Sequence, residues 1–415
     1  MPGRPVVAVL APEPIRPRMA GMGIRALELA RALGRELDVR LIVPNDPAEA
    51  EEVSGGVPVV SAPPNSDLAR AAAGVDAAVV SAHAANYWFH QLPDVPVVAD
   101  LYDPFFIENL HYARTLGEET ARHDRETLQL ALARADFFLC ASAEQRLFYA
   151  GALFAAGRIG PGNFPDDPAL ADLVALVPFG APDDAAAGDR RTGRRAVSVP
   201  EEGPLVLFGG IYDWNDPALL LEAWPAVLRA EPRARLLFLE SPNPETTPQR
   251  VYEDTLGSAR EIDPAGASIR FAPWVPYGGR EDLYAAADLL VSISSNGLES
   301  DLAYRTRLLD AAWGGLTSIS TSGGTLAREL EEAGAGRRVE RSSEALARAI
   351  VDALRDPEGR AKAAGAARRF AAERKWSTVA RPLLSWCRRA RIDRLRLPLP
   401  EPHEPRFWRR FGRRG

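Results

Sequence analysis

One pattern occurs twice along this chain and restricts it to few architectures: a short apolar strand, a glycine-bearing turn, a helix and a second strand. The first copy starts at Val6 to Leu10 (VVAVL), continuously apolar and β-branched, as strands buried on both faces are. A proline- and glycine-rich stretch follows and ends in Gly21-Met22-Gly23. From Ile24 to Leu37 the apolar residues fall at helical spacing, with Ile24, Leu27 and Ala30 beside Leu29 and Leu33. Val39 to Val43 is strand again. The second copy runs from Leu205 to Phe208, through Gly209-Gly210, to a helix over Pro217 to Arg229 and a strand over Ala234 to Leu239. Pro217 stands in the first helical turn, where a missing N–H costs little. Units of this kind build doubly wound parallel sheets.

Further strands are predicted at Asp76 to Ser81, Val95 to Leu101, Ala135 to Ala141 and Leu176 to Pro178, then at Ile269 to Phe271, Asp288 to Ile293 and Thr317 to Ser320. Between the halves, 181–202 is rich in Ala, Asp, Gly, Arg and Pro without periodicity and reads as a linker. The predicted organisation is a Rossmann-like domain at 1–180, the linker, a second Rossmann-like domain at 203–375, a helix at 376–395 crossing back onto the first, and a basic aromatic tail at 396–415. A length of 415 residues suits two domains. Alternating strands and helices make the fold class α/β, and a ligand cleft is expected where the strands' carboxyl ends face each other.

Composition narrows the function. The net charge of -6 gives no basic field for nucleic acid. The positive charge is nearly all arginine, with lysine only at Lys362 and Lys375. Two cysteines, Cys140 and Cys387, form neither a disulfide framework nor a zinc site, and a reducing cytoplasm is the expectation. The start, MPGRPVVAVLAPEP, has neither a signal-peptide nor an anchor pattern. No Ser-His-acid arrangement, metal-ligand spacing or lysine-bearing phosphate loop is found.

Four segments in order, LVLFGGIYDWNDPALLLEAW, RFAPWVPYGGREDLYAAADLLVSIS, LESDLAYRTRLLDAAWGGLTSISTSGG and WSTVARPLLSWC, resemble the donor-binding half of retaining family-four glycosyltransferases of the GT-B fold. The Gly21-Met22-Gly23 turn, VVADLYDP and FFLCAS are similar to their acceptor half. The resemblance covers roughly residues 5 to 390. It implies two facing Rossmann-like domains with a deep cleft between them. It further implies transfer of a sugar from a nucleoside-diphosphate sugar to a hydroxyl acceptor such as a saccharide, with retention, no cofactor and no metal.

The reaction splits a sugar–phosphate bond, so cations, backbone N–H groups and helix N-termini aimed at the diphosphate are the main resource. Arg305 and Arg307, flanking Thr306, precede an apolar helix, where positive charge opposes the macrodipole unless an anion is bound; two solvated arginines are the plainer alternative. The resemblance places Asp310 on ribose hydroxyls and Glu299 near the transferred sugar. The family's two glutamates have seven residues between them, whereas Glu299 and Asp310 have ten. The family's arginine and lysine for the diphosphate fall here on Gly210 and Asn215. Phosphate contacts then rest on Arg305, Arg307 and backbone near Gly209, Gly210 and Gly21 to Gly23. Trp274 and Val275 are expected against the base and Asn243 at the cleft border. On the acceptor side Tyr102 and Asp103 end a strand, and Asp103 is a candidate to orient or deprotonate a hydroxyl; an aspartate before Pro104 is equally an ordinary turn residue. His83, after the preceding strand, is a second acceptor-side candidate or a structural histidine.

The tail, with Phe407, Trp408 and Phe411 among arginines, suits peripheral contact with an anionic membrane; a frayed terminus has the same composition. Two rival functions stay open: another GT-B enzyme such as a sugar-nucleotide epimerase, and a non-catalytic partner subunit that has lost the donor site.

Overall fold

In the computed structural model, which describes residues 3–63, 66–321 and 324–398, two parallel sheets lie side by side along the chain. The first contains β1 (Val6–Leu10), β2 (Asp38–Val43), β3 (Val59–Ser61), β4 (Ala77–Ser81), β5 (Val97–Asp100), β6 (Phe137–Cys140) and β7 (Val174–Leu176), in the order β3-β2-β1-β4-β5-β6-β7. The second contains β8 (Leu205–Gly210), β9 (Arg235–Leu239), β10 (Ile269–Ala272), β11 (Leu289–Ser292), β12 (Ser318–Ser320) and β13 (Gly336–Arg338), in the order β10-β9-β8-β11-β12-β13. Both orders reverse direction beside their first strand, between β1 and β4 and between β8 and β11. Such switch points open crevices at the carboxyl ends of the strands.

The central strands are legible because β1, β4, β5, β6, β8 and β11 are almost wholly buried and hence apolar but for a terminal residue such as Ser81, Asp100 or Ser292. β3 and β13 were not predicted. Each has three residues at a sheet edge and is partly exposed, so neither carries a continuous apolar run. β7 ends at Leu176, before the predicted Leu176 to Pro178; Pro178 has no N–H to give a ladder. The helix predicted from Ile24 spans Gly21–Gly34, so the glycine turn is its first turn.

The segment 181–202 is more ordered than a linker of irregular backbone. It contains a helix, Arg190–Ala196, capped by the Asp189 side chain on the Thr192 N–H. Arg194 on that helix is 1% exposed and donates to the carbonyls of Ala286, Pro200 and Gly203, which fastens the segment to the second sheet's helices. The helix expected from Trp376 to Ala390 is two short ones, Trp376–Val379 and Arg381–Cys387. Pro382, in the first turn of the second, has no N–H to continue the first. Both pack on the first sheet: Trp386 stacks on Phe137 at 5.2 Å and Trp376 meets Phe179 at 4.8 Å. Of the predicted tail, residues 399–415 lie outside the described residues.

Direct bonds join the two halves. Tyr277 Oη donates to Glu28 at 2.8 Å, Gln145 Nε2 donates to the Leu302 carbonyl at 2.8 Å, and Arg328 pairs with Glu144 at 2.6 Å. Cys140 and Cys387 are both buried free thiols. Among the described residues, no helix is long and apolar enough to cross a membrane, and no cluster of His, Cys, Asp or Glu is placed to hold a metal.

Candidate active site

The carboxyl end of β8 carries a constrained stretch of backbone. Its register against β9 slips between Leu207 and Gly209, and Gly209 sits at φ 88°, a conformation that favours glycine. The bulge leaves the Phe208 carbonyl out of the ladder. Arg307 Nη1 donates to that carbonyl at 3.2 Å, and Nη2 donates to Asn215 Oδ1 at 3.4 Å. The Arg307 guanidinium therefore lies between the Phe208 carbonyl and Asn215, the position where the family's diphosphate-binding lysine is replaced. Burial lowers its pKa to about 10, against the raising effect of Tyr212; it stays charged near neutrality.

Gly210 has a different reason to be glycine. A Cβ there would stand 2.8 Å from the Trp274 ring. Trp274 fills the space that an arginine at position 210 would need, and Val275 continues the same half-buried loop. Sequence reading treated the missing arginine and Trp274 as separate features; they are one packing arrangement.

Arg305 is the residue before the helix Thr306–Trp313 and pairs with Glu299 at 2.6 Å. Neither is a solvated surface charge: their side chains are 9% and 2% exposed. Glu299 Oε1 is buried and has no hydrogen-bond partner. Thr306 starts the helix and is half-buried. Asp310, one turn on, faces Arg280 at 3.4 Å, and Arg280 stacks over the Tyr277 ring at 3.8 Å. Burial raises the pKa of Asp310 while Arg280 opposes the rise. The carboxylate expected to be free for ribose thus has a buried cationic partner, from a residue 30 positions away that sequence reading did not connect with it.

On the first sheet, the N–H groups expected to face phosphate at Gly21, Met22 and Gly23 open the helix Gly21–Gly34. The Gly23 N–H is already engaged, donating to Glu13 Oε1 at 2.6 Å. Glu13 Oε2 accepts from Asn243 Nδ2 at 3.2 Å across the cleft, and Asn243 Oδ1 accepts from Arg16 at 3.1 Å. Asn243 is therefore an interdomain bridge. Burial raises the pKa of Glu13 to about 7, despite the bonds from Gly23, Ala20 and Asn243. Sequence reading missed Glu13; a lone glutamate between two prolines carries no pattern.

Tyr102 lies under the Arg25 guanidinium at 4.7 Å, with its hydroxyl close to Gly21. Arg25 is 1% exposed and grips Asp100 with two bonds of 2.6 and 2.9 Å, locking the end of β5 to the glycine helix. Just beyond, Asp103 lies near enough to Glu108 of the helix Phe105–His111 for each carboxyl to act on the other. Burial raises both carboxyls, Asp103 to about 6 and Glu108 further. Glu108 was not singled out from the sequence. His83 follows β4 on a short turn, exposed and edge-on to Phe105 at 5.2 Å. The structure thus brings together Asp103, Glu108, Glu299 and Arg305 in one place and Arg307, Gly209, Gly210 and Trp274 in another, with Asp310 drawn aside to Arg280.

No family model matches the chain, and no curated protein matches it by sequence. Solved structures do match over nearly the whole chain. HepE from Anabaena in complex with UDP-glucose superposes with a TM-score of 0.67 at 17% identity, covering 92% of this chain and 98% of its own. Sucrose-phosphate synthase from Thermosynechococcus elongatus gives 0.63 at 16% identity, covering 93% and 99%. WaaG, a glycosyltransferase involved in lipopolysaccharide biosynthesis, gives 0.63 at 16% identity, covering 91% and 98%. With two doubly wound parallel sheets opening at facing switch points and this likeness across both, the chain has the GT-B fold.

Proposed function

We propose that this protein is a glycosyltransferase that moves a sugar from a nucleoside-diphosphate sugar to a hydroxyl of an acceptor, a saccharide or a smaller molecule. The second half holds the donor and the first half the acceptor. The observation that carries the reading is Arg307, whose guanidinium lies at the bulged end of β8 between Phe208 and Asn215. A cation held there meets the charge that develops on a departing diphosphate. Arg305, six residues from its partner Glu299, supports the same end of the cleft. Guanidinium forks suit phosphate oxygens, so the transfer is read as independent of metal. The UDP-glucose bound in the structurally similar HepE supports a nucleotide-sugar donor. Retention follows from the resemblance to family-four enzymes, and cytoplasmic residence from the free buried cysteines. Asp103 is the acceptor-side base in this reading, and peripheral membrane contact through the tail is part of it.

Binding tests the donor site without knowledge of the acceptor. The expected result is a rise in melting temperature with one of UDP, ADP, GDP or the matching sugar nucleotides, since a ligand of the folded state stabilises by mass action. An Arg307→Ala variant should lose that rise. No rise with any nucleotide would leave the fold standing and overturn the donor reading in favour of a non-catalytic subunit.

A further inference from the structure

Arg280 and Asp310 form an ion pair that stays open. Their facing atoms, Nη1 and Oδ1, stand 3.4 Å apart, whereas an arginine and a carboxylate free to close bond at about 2.7–2.9 Å. Both atoms are buried and neither makes a hydrogen bond, which is costly for charged groups. The two side chains keep 10% and 12% of their surface exposed, so the pair is not sealed off.

Tyr277 holds the pair open. The Arg280 guanidinium lies 3.8 Å from the centre of the Tyr277 ring, with the Trp313 ring 5.2 Å away. Its other terminal nitrogen, Nη2, donates to Tyr277 Oη at 2.9 Å. That hydroxyl gives its own proton to Glu28 Oε1 at 2.8 Å, and the Tyr277 N–H donates to the Pro17 carbonyl at 2.7 Å. Tyr277 is thereby tied to the first half at two points and to Arg280 at one. A planar guanidinium stacked on a ring and fixed through one nitrogen cannot turn its fork onto the carboxylate.

The neighbours of the pair show what fits it. Arg307 and Asp310 stand three residues apart on the helix Thr306–Trp313 and share a face of it. Arg280 follows the turn Tyr277–Gly279, which continues from the loop of Trp274 and Val275. The pair thus comes between the groups read against the diphosphate and those read against the base, as the sugar of a nucleoside does. A hydroxyl is donor and acceptor at once. Set between the two side chains, it gives its proton to Asp310 Oδ1 and accepts from Arg280 Nη1, and both orphaned atoms are satisfied. A hydrogen in its place satisfies neither.

We propose that Arg280 and Asp310 form a slot for one ribose hydroxyl of the donor, with Arg280 setting specificity and Tyr277 positioning it, so that the protein takes ribonucleoside diphosphates and rejects their deoxy counterparts. The inference rests on the transferase reading above. Because Tyr277 is anchored on Glu28 and Pro17, the slot is complete only with the two halves together, and donor recognition draws on both.

The test is titration calorimetry with UDP, ADP, GDP and dTDP and, for the ribonucleotide that binds, its 2′-deoxy and 3′-deoxy forms. The wild type binds one of the two deoxy forms about 10- to 100-fold more weakly than the parent, since a buried charged group is left without its partner. Tyr277→Phe keeps the ring under Arg280 and removes the hydroxyl. Arg280 then closes on Asp310, and the ratio of parent to deoxy affinity falls by about fivefold or more through weaker binding of the parent. Arg280→Lys keeps a charge beside Asp310 without the fork and lowers the ratio likewise. A merely structural role would weaken parent and deoxy forms alike and leave the ratio unmoved. A ratio retained in either variant, a wild type that binds both deoxy forms as tightly as the parent, or a preference for dTDP overturns the proposal and leaves the donor reading standing. Binding of none of the four nucleotides overturns the donor reading, and the proposal with it.

Discussion

Replacing Glu13 by glutamine should make the protein gain stability relative to the wild type as pH rises from acid to alkaline. Glu13 takes the Gly23 N–H on Oε1 and Asn243 Nδ2 on Oε2, and its pKa rises from 4.5 to about 7, chiefly because burial penalises the charge. A folded-state pKa above the unfolded one stabilises fully below pH 4.5; that contribution drains away as pH rises through about 7. The wild type then pays for holding a carboxylate where an acid is preferred. A rise of about 2.5 units is worth about 3.4 kcal/mol as a ceiling. Glu13 is only half-buried, so solvent trims this to the order of 1–2 kcal/mol. For a domain of this size, that is roughly 2–8 °C in melting temperature. Glutamine never ionises; its Oε1 keeps the Gly23 N–H, while its Nε2 meets Asn243 Nδ2 donor to donor, a cost that does not vary with pH. Melting curves of both proteins from about pH 5 to pH 9 should therefore shift relative to each other in the variant's favour as pH rises through neutrality. A difference that is constant with pH would refute the assignment of a strained carboxylate to the mouth of the glycine helix.

Two further outcomes follow from the packing. Arg305→Met leaves Glu299 buried without its cation and should cost about 3–5 kcal/mol, whereas the double variant with Glu299→Gln should recover most of it, because the pair is then replaced by neutral groups; calorimetric melting of the wild type and the two variants decides this. Gly210→Ala drives a methyl to 2.8 Å from the Trp274 ring and should cost about 1–3 kcal/mol, and adding Trp274→Leu should return part of it; a tolerated Gly210→Ala would show that Trp274 does not fill the site.

Much of the fold was readable because its information is local and repeated. β1, β4, β5, β6 and β8 are buried on both faces, so each is apolar up to its last residue or two, and the glycines after β1 and at the end of β8 mark the turns into helices. β3 and β13 escape because three partly exposed edge residues need no such run. The helix Arg190–Ala196 escapes because its arginine-rich stretch hides Arg194, a side chain buried only through carbonyls of distant residues. The site divides in the same way. Arg305, Arg307, Glu299 and Asp103 were legible as charges at the ends of strands and helices. Their partners were not, because pairing is decided in space: Asp310 meets Arg280, Asp103 meets Glu108, and Gly23 meets Glu13. The cations missing at Gly210 and Asn215 show the consequence most clearly. Compared position by position with the resembling family, the chain reads as a donor site stripped of its charges. In space, Trp274 covers Gly210 and Arg307 reaches over from the helix Thr306–Trp313 to bond Asn215 itself. A guanidinium has a long, flexible stem, so the same charge at the end of β8 can be supplied from another element. Loss of a residue from a motif is therefore weaker evidence for loss of chemistry than loss of the charge from the place where the motif would put it.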